Sequence, residues 1–284
     1  MENRTCVAFL QWALPRMGLR WAGLRRVRRQ VCKRIGRRLR ALGISDIAAY
    51  RAYLEQHSDE WRMLDGLCRI PISRFYRDRE VFAHLGRAVL PELARAAAAR
   101  GETRLRCWSA GCASGEEPFS LSLVWAFEAG PRAPRVALEI VATDAERHLI
   151  ERARAARYGA GSLKDLPPGW RERAFDAADG LFALHREFRA YVGLESQDIR
   201  VAAPPGRFDL VLCRNMAFTY FAEPVQRTVL LRLMGALVGG GALVIGAHER
   251  LPEGAADVAP WEAKLGVYRK AAACGPSKKD AVVG

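Results

Sequence analysis

Apolar residues at Leu24, Val27, Val31, Ile35, Leu39 and Leu42 recur at steps of three and four, the period of an amphipathic helix. Arg26, Arg29, Lys33, Arg37 and Arg40 run at the same steps on the opposite face. One face is built for burial, and the other is a basic stripe. Gly43 predicts the stop of this helix, and Ser45 or Asp46 can cap a second one carrying Ala49, Tyr53 and Leu54. A third begins near Asp59. Residues 1–68 therefore read as a small all-α, basic N-terminal domain. Pro71, in Ile-Pro-Ile-Ser, breaks helical continuity, so residues 69–84 read as an extended connector.

Beyond the connector the pattern changes to short β-rich runs, at 105–109, 138–143, 208–213 and 242–245, separated by helical stretches such as 116–127 and 146–156. Alternation of this kind predicts a parallel sheet covered by helices on both faces. Residues 85–270 are accordingly read as one doubly wound α/β domain with a Rossmann-like sheet. The tail 271–284, rich in Gly, Pro, Ser and Lys, is expected to be disordered.

Composition narrows the class. No apolar run reaches the roughly 18 to 20 residues that a membrane span needs, so no membrane insertion is expected. The seven cysteines are scattered, odd in number and never spaced C-x-x-C. That pattern predicts reduced thiols in a cytoplasmic compartment, with neither a disulfide framework nor a metal site. The net charge of +14 calls for an acidic partner. Nucleic acid, an anionic surface and an acidic protein all satisfy it, as does a plain bias toward arginine. Between Arg16 and Arg40 alone there are eleven basic residues and no acidic one.

Two motifs carry candidate chemistry. The first is Trp108-Ser109-Ala110-Gly111-Cys112-Ala113-Ser114-Gly115-Glu116-Glu117-Pro118, which follows an expected strand and opens an expected helix. Its glycines let the backbone turn sharply and let a ligand approach, and Pro118 suits a first helical turn. A bare βα turn satisfies the glycine spacing equally well. No Lys-Ser or Lys-Thr follows the glycines, so this is not a phosphate-cradling loop. Glu116 and Glu117 instead favour a ligand that is cationic or rich in hydroxyls, as S-adenosylmethionine is. The second motif ends on Asp144, at the carboxyl end of the second strand, where a carboxylate can accept both hydroxyls of a ribose. The same residue can serve as a helix cap.

Taken together, Ser73-Arg74-Phe75-Tyr76-Arg77-Asp78, the stretch 108–120, Ala142-Thr143-Asp144 and Phe208-Asp209-Leu210-Val211-Leu212-Cys213-Arg214-Asn215 resemble, in order and spacing, the chemoreceptor glutamate methyltransferases of the CheR family. The resemblance runs from the basic helix to about Tyr268. It implies an α-helical domain packed on a methyltransferase sheet, with S-adenosylmethionine bound between them. It places Arg77 as the active-site arginine and Tyr220 beside the methyl-transfer site. Ser73, Arg77, Gly111, Glu117, Asp144, Asp198, Ile199, Arg214 and Asn215 fall on cofactor-contacting positions. The implied acceptor is a glutamate side chain of an acidic protein, a chemoreceptor or related signalling protein, docked through the basic helix. A small molecule or a nucleic acid as acceptor, the latter less favoured, and a non-catalytic cofactor-binding module remain open as alternatives.

This sequence departs from the family pattern in four places. The usual Asn-x-x-x-Tyr-Phe is one residue longer here, from Asn215 to Phe221. Gly246-Ala247-His248-Glu249 approximates Gly-His-Ser-Glu, Pro71 replaces a common asparagine, and the stretch 175–184 is short where some members carry a longer hairpin.

Overall fold

A computed structural model of the chain describes residues 3–255 and 257–272. The expected disordered tail lies outside the described residues from position 273 onward. Five helices build the N-terminal unit: α1 (Asn3–Arg16), α2 (Trp21–Leu24), α3 (Arg28–Leu42), α4 (Ile47–Gln56) and α5 (Ser58–Cys68). The single amphipathic helix expected from Leu24 to Leu42 is therefore two, because the chain turns at residues 25–27 before α3 starts. Val31, Ile35 and Leu39 are buried, and the basic stripe faces solvent. Gly43 ends α3 in the left-handed region at φ 68°, where its amide donates to the Arg40 carbonyl. Asp46 caps α4 by accepting from the Ala49 amide at 2.9 Å.

Three of these helices are tied together by one buried carboxylate. Glu60 of α5 accepts from Arg38 of α3 at 3.0 and 2.6 Å and from the Tyr50 hydroxyl of α4 at 2.7 Å. Burial, the largest influence, pushes the Glu60 carboxyl up, but Arg38 and Tyr50 outweigh it and hold the group below the ordinary glutamate range.

The expectation of reduced thiols throughout is corrected here. Cys6 in α1 and Cys32 in α3 form a disulfide with Cα atoms 6.1 Å apart. A scattered and odd cysteine count carries no information on which helices lie side by side, and α1 lies against α3. Cys68, Cys107, Cys112 and Cys213 are buried free thiols, and Cys274 falls outside the described residues. Among the described residues no helix is long and apolar enough to cross a membrane.

The second unit is built on ten strands: β1 (Arg104–Ala110), β2 (Ala137–Asp144), β3 (Arg157–Tyr158), β4 (Phe175–Ala178), β5 (Leu181–Leu184), β6 (Val192–Ser196), β7 (Phe208–Cys213), β8 (Leu237–Ile245), β9 (Val258–Glu262) and β10 (Val267–Lys270). Seven of them form one sheet in the order β6-β2-β1-β7-β8-β10-β9. The first five in that order are mutually parallel. The expected all-parallel sheet is in fact mixed, because β10 runs antiparallel to both β8 and β9. All six residues of central β7 are buried, as a strand covered on both faces requires. Strands β3, β5 and β4 make a small antiparallel sheet fastened to the glycine turn by the Tyr158 hydroxyl, which donates to the Ser114 carbonyl at 2.8 Å.

Strand order reverses between β1 and β7: successive strands run outward from β1 through β2 to β6, and the chain then returns to place β7 on the other side of β1. In open α/β sheets a crevice forms at such a point, outside the carboxyl ends of the strands. The connector expected over 69–84 is extended only to residue 78, because a helix spans Arg79–His84; residues 69–78 and helices α2 and α5 line the crevice.

Candidate active site

Each wall of the crevice comes from the end of a strand. Beyond β1, Gly111 and Gly115 take φ values of 80° and 92°, and Ala113 between them takes 48°. This run of left-handed residues reverses the chain so that the helix Glu116–Val124 starts beside the sheet. Beyond β2, the Asp144 carboxylate holds that turn in place, accepting from the Ala113 amide at 2.9 Å and from the Glu146 amide at 2.9 Å. The following helix starts at Arg147 with Glu146 at its cap, so Asp144 is not the cap residue. Its carboxylate instead ties two loops together at the mouth of the crevice.

Glu117 stands in the first turn of the helix after the glycines. It accepts from the Ser109 hydroxyl at 2.8 Å and from Arg214, at the end of β7, at 3.3 Å. The Arg214 side chain is only 1% exposed, and its other nitrogen donates to Asp78 at 2.6 Å and to the Arg77 carbonyl at 3.1 Å. Burial pushes the Glu117 carboxyl above the ordinary range, and Arg214 and Ser109 pull it back without cancelling the shift.

These elements enclose one cleft, with an empty volume of about 1130 Å³ including its open mouth. Ser73, Arg77, Gly111, Glu117, Asp144, Asp198, Ile199, Arg214, Asn215 and Tyr220 all line it. The fold thus brings together the residues that the family resemblance marks as cofactor-contacting or beside the methyl-transfer site. Tyr220 reaches the cleft even with the extra residue after Asn215, at the end of a single helical turn, Ala217–Tyr220. Burial pushes the Tyr220 hydroxyl up, and the nearby Arg77 charge opposes that shift. The Arg77 guanidinium donates to the Ile72 carbonyl at 2.7 Å and makes no ion pair among the described residues.

Several functional neighbours carried no signal in the sequence. Leu19 and Leu24, from the N-terminal segment, supply apolar wall. Asp65 and Arg69 join Asp198 and Arg200 in a charged cluster across the two units. Arg200 donates to Asp65 at 2.7 Å and to Asp198 at 2.7 Å, and Arg69 donates to Asp65 at 2.5 Å. Burial pushes Asp198 up, yet Arg200 and Arg69 outweigh it and leave the carboxyl below the ordinary range. Gln197 lines the same wall with its side-chain oxygen buried and without a partner among the described residues.

Trp108, by contrast, is wholly buried and donates to the Thr143 hydroxyl at 2.9 Å, so it belongs to the core, as its position in β1 predicts.

The lining fits S-adenosylmethionine by chemistry. Asp144 offers a carboxylate at the ribose position of such folds, and the orphaned Gln197 oxygen offers an acceptor to an exocyclic amine beside Asp198, whose own oxygens are held by Arg200 and Arg69. Glu117 offers negative charge to a cationic tail, and Ile199, Leu149 and Leu19 offer flat apolar contact.

Comparison with known proteins agrees with this geometry. Residues 72–265 match the family described as CheR methyltransferase, SAM binding domain, and residues 27–64 match CheR methyltransferase, all-alpha domain. Chemotaxis protein methyltransferase 1 of Pseudomonas aeruginosa is 38% identical over 182 residues, covering 62% of this chain and 65% of that protein. The chemotaxis protein methyltransferase of Salmonella typhimurium is 32% identical over 230 residues, covering 78% of this chain and 76% of its own. An uncharacterized 104.1 kDa protein of Rhodobacter capsulatus is 36% identical over 223 residues, which are 78% of this chain and 23% of the larger protein. The alignments thus span less than two thirds of the Pseudomonas and Rhodobacter relatives.

Proposed function

The chain belongs to the CheR methyltransferase family, and from that premise we propose that it moves a methyl group from S-adenosylmethionine to glutamate side chains of a chemoreceptor or related signalling protein. The observation that carries the choice of acceptor is the Arg77 guanidinium, which lines the cleft without a carboxylate partner among the described residues and acts electrostatically on Tyr220. A cation left unpaired beside the proposed transfer site suits an anionic acceptor.

When bound, the cofactor supplies an electrophilic methyl on a sulfonium. A glutamate carboxylate, with an ordinary pKa near 4.3, is already ionised at neutral pH and attacks without a general base. The residues of this chain therefore position rather than transfer protons. Asp144 takes the ribose, Asp198 and Ile199 take the base, and Glu117 takes the cationic tail. Gly111 shapes the turn after β1 and Asn215 the one after β7, Ser73 lines the cleft beside them, and Arg214 keeps Glu117 in place. Arg77 orients the incoming carboxylate, and the Tyr220 hydroxyl orients groups around the methyl. Anion and cation join and both charges vanish, so too strong a grip by Arg77 on the attacking oxygen would hold the ground state back. The guanidinium's single carbonyl bond leaves it free to adjust.

The exposed stripe of Arg26, just before α3, and Arg29, Lys33, Arg37 and Arg40 on α3 supplies a surface for an acidic partner protein. A cytoplasmic placement goes with this reading.

The test is to incubate the protein with labelled S-adenosylmethionine and an extract of its own organism, then treat the labelled protein with mild alkali. Carboxyl methyl esters release volatile methanol, whereas methyl groups on lysine, arginine or bases stay attached. Alkali-labile label that disappears with Arg77→Ala, at retained cofactor binding, is the expected result. Alkali-stable label, or label confined to small molecules, would overturn the glutamate reading.

A further inference from the structure

Residues 18–24 precede both family matches, which begin at 27 and 72. They nevertheless meet the Tyr220 turn along its whole length. The Gly18 carbonyl accepts from the Ala222 amide at 2.8 Å, and Leu19 and Phe221 form an antiparallel bridge. Arg20 does most of the holding. Its backbone amide donates to the Tyr220 carbonyl at 2.9 Å, its Nε to the Thr219 carbonyl at 2.9 Å, and its Nη2 to the Phe218 carbonyl.

A helix leaves its last carbonyls without intrahelical partners, and a single turn such as Ala217–Tyr220 leaves nearly all of them so. Three consecutive carbonyls of this turn are satisfied by one residue nearly two hundred positions away in the chain. Close approach is built in as well: a Cβ placed on Gly23 would overlap the Thr219 carbonyl.

The opposite side of the turn is equally fixed. Glu249 accepts from the Thr219 hydroxyl at 2.6 Å, from the Asn215 amide at 2.7 Å and from the Gly246 amide at 2.7 Å. Asn215 is held at φ 56°, a conformation that needs support in a non-glycine residue. The turn bearing Tyr220 is thus gripped between Glu249 and Arg20, while its hydroxyl-bearing ring faces the cleft.

We propose that Arg20 is a positioning residue for methyl transfer: by capping the Phe218, Thr219 and Tyr220 carbonyls it fixes where the Tyr220 side chain stands, so the segment 18–24 is a working part of the site. This rests on the reading of Tyr220 as a residue beside the transferred methyl.

The full chain is tested as Arg20→Ala, Arg20→Lys, Tyr220→Phe and the double variant Arg20→Ala/Tyr220→Phe. Turnover, S-adenosylhomocysteine affinity and deuterium uptake across 215–222 are measured on each. Arg20→Ala is expected to lower kcat by about tenfold or more while cofactor Kd and acceptor KM stay within about twofold, because a displaced group costs rate more than binding. Arg20→Lys recovers part of the loss, since an ammonium can serve one carbonyl but not two in a fixed fork. In the Tyr220→Phe background the Arg20→Ala loss shrinks, the non-additivity of residues acting through one another. Equal losses in both backgrounds, or unchanged turnover in Arg20→Ala, would overturn the proposal. If the wild-type chain moves no methyl, the functional reading fails by itself. Deuterium uptake then decides on the clasp, and unchanged exchange across 215–222 in Arg20→Ala refutes it.

Discussion

Arg214 meets the buried Glu117 carboxylate at 3.3 Å while its other nitrogen is committed to Asp78 at 2.6 Å. One guanidinium is shared between two acids, and the weaker share goes to the residue that faces the cleft. Burial therefore keeps the Glu117 carboxyl above its ordinary range in spite of a cation at its side.

A pH dependence follows. The amino-acid tail of the cofactor carries an ammonium that binds the ionised carboxylate, so affinity is weak in acid and grows as pH rises through the raised Glu117 pKa. S-adenosylhomocysteine titrated calorimetrically between about pH 4.5 and 8 should show its midpoint above the ordinary value near 4.3. Asp198, whose pKa is lowered, titrates below that window and does not blur it. Glu117→Gln should bind about tenfold or more weakly at neutral pH and lose the slope, in line with a charged hydrogen bond worth about 1.5 to 3 kcal/mol. An identical slope in the variant would remove Glu117 from the account.

Asp144 bears two loads, the glycine turn through the Ala113 amide and the proposed ribose. Asp144→Ala should therefore weaken S-adenosylhomocysteine binding by roughly 1 to 3 kcal/mol. Asp144→Asn should fall between, because an amide keeps one acceptor oxygen and places a donor where the other stood. Wild-type affinity in the alanine variant would contradict the ribose assignment.

The basic stripe is tested by changing Arg29, Lys33 and Arg37 to Glu together. Methylation of the protein acceptor should fall while cofactor affinity is unchanged, and in the wild type methylation should weaken with salt as the Debye length drops to about 8 Å at 0.15 M. Arg38 is left alone in this design because its loss would strand the buried Glu60. Unaltered methylation in the triple variant would make the stripe an ordinary solvated face.

How far these features could be read from the chain depended on distance along it. Strand β7 is legible as a nearly continuous apolar run, the mark of an interior parallel strand, and β1 and β2 as short β-rich runs flanked by helical stretches. Gly111, Glu117 and Asp144 could be found because strand ends and glycine turns are local patterns. Strand β9 hid behind Pro260 and Trp261, whose alternation is irregular at the sheet edge. The contact of Asp65 with Arg200 spans 135 residues, and nothing in either neighbourhood names the other. Likewise Cys6 and Cys32 are 26 apart, a spacing that acquires meaning only when α1 packs on α3. Family spacing alone marks Tyr220 in the sequence, and the single helical turn that carries it to the cleft has no local signature there.

The bond from Arg20 to Thr219 joins positions 199 residues apart. A chain emerging from the ribosome therefore completes α1 to α5 long before the strap at 18–24 has anything to grip. Domains generally fold as units in the order of synthesis, and contacts between distant residues form last because closing a long loop comes first. Leu19 and Leu24, buried in the finished protein, lack the Tyr220 side of their surroundings until residues 218–222 have been made. A nascent chain stalled before Phe221 would present a folded helical unit with an apolar rim, the kind of surface that chaperones bind and that aggregates when they do not.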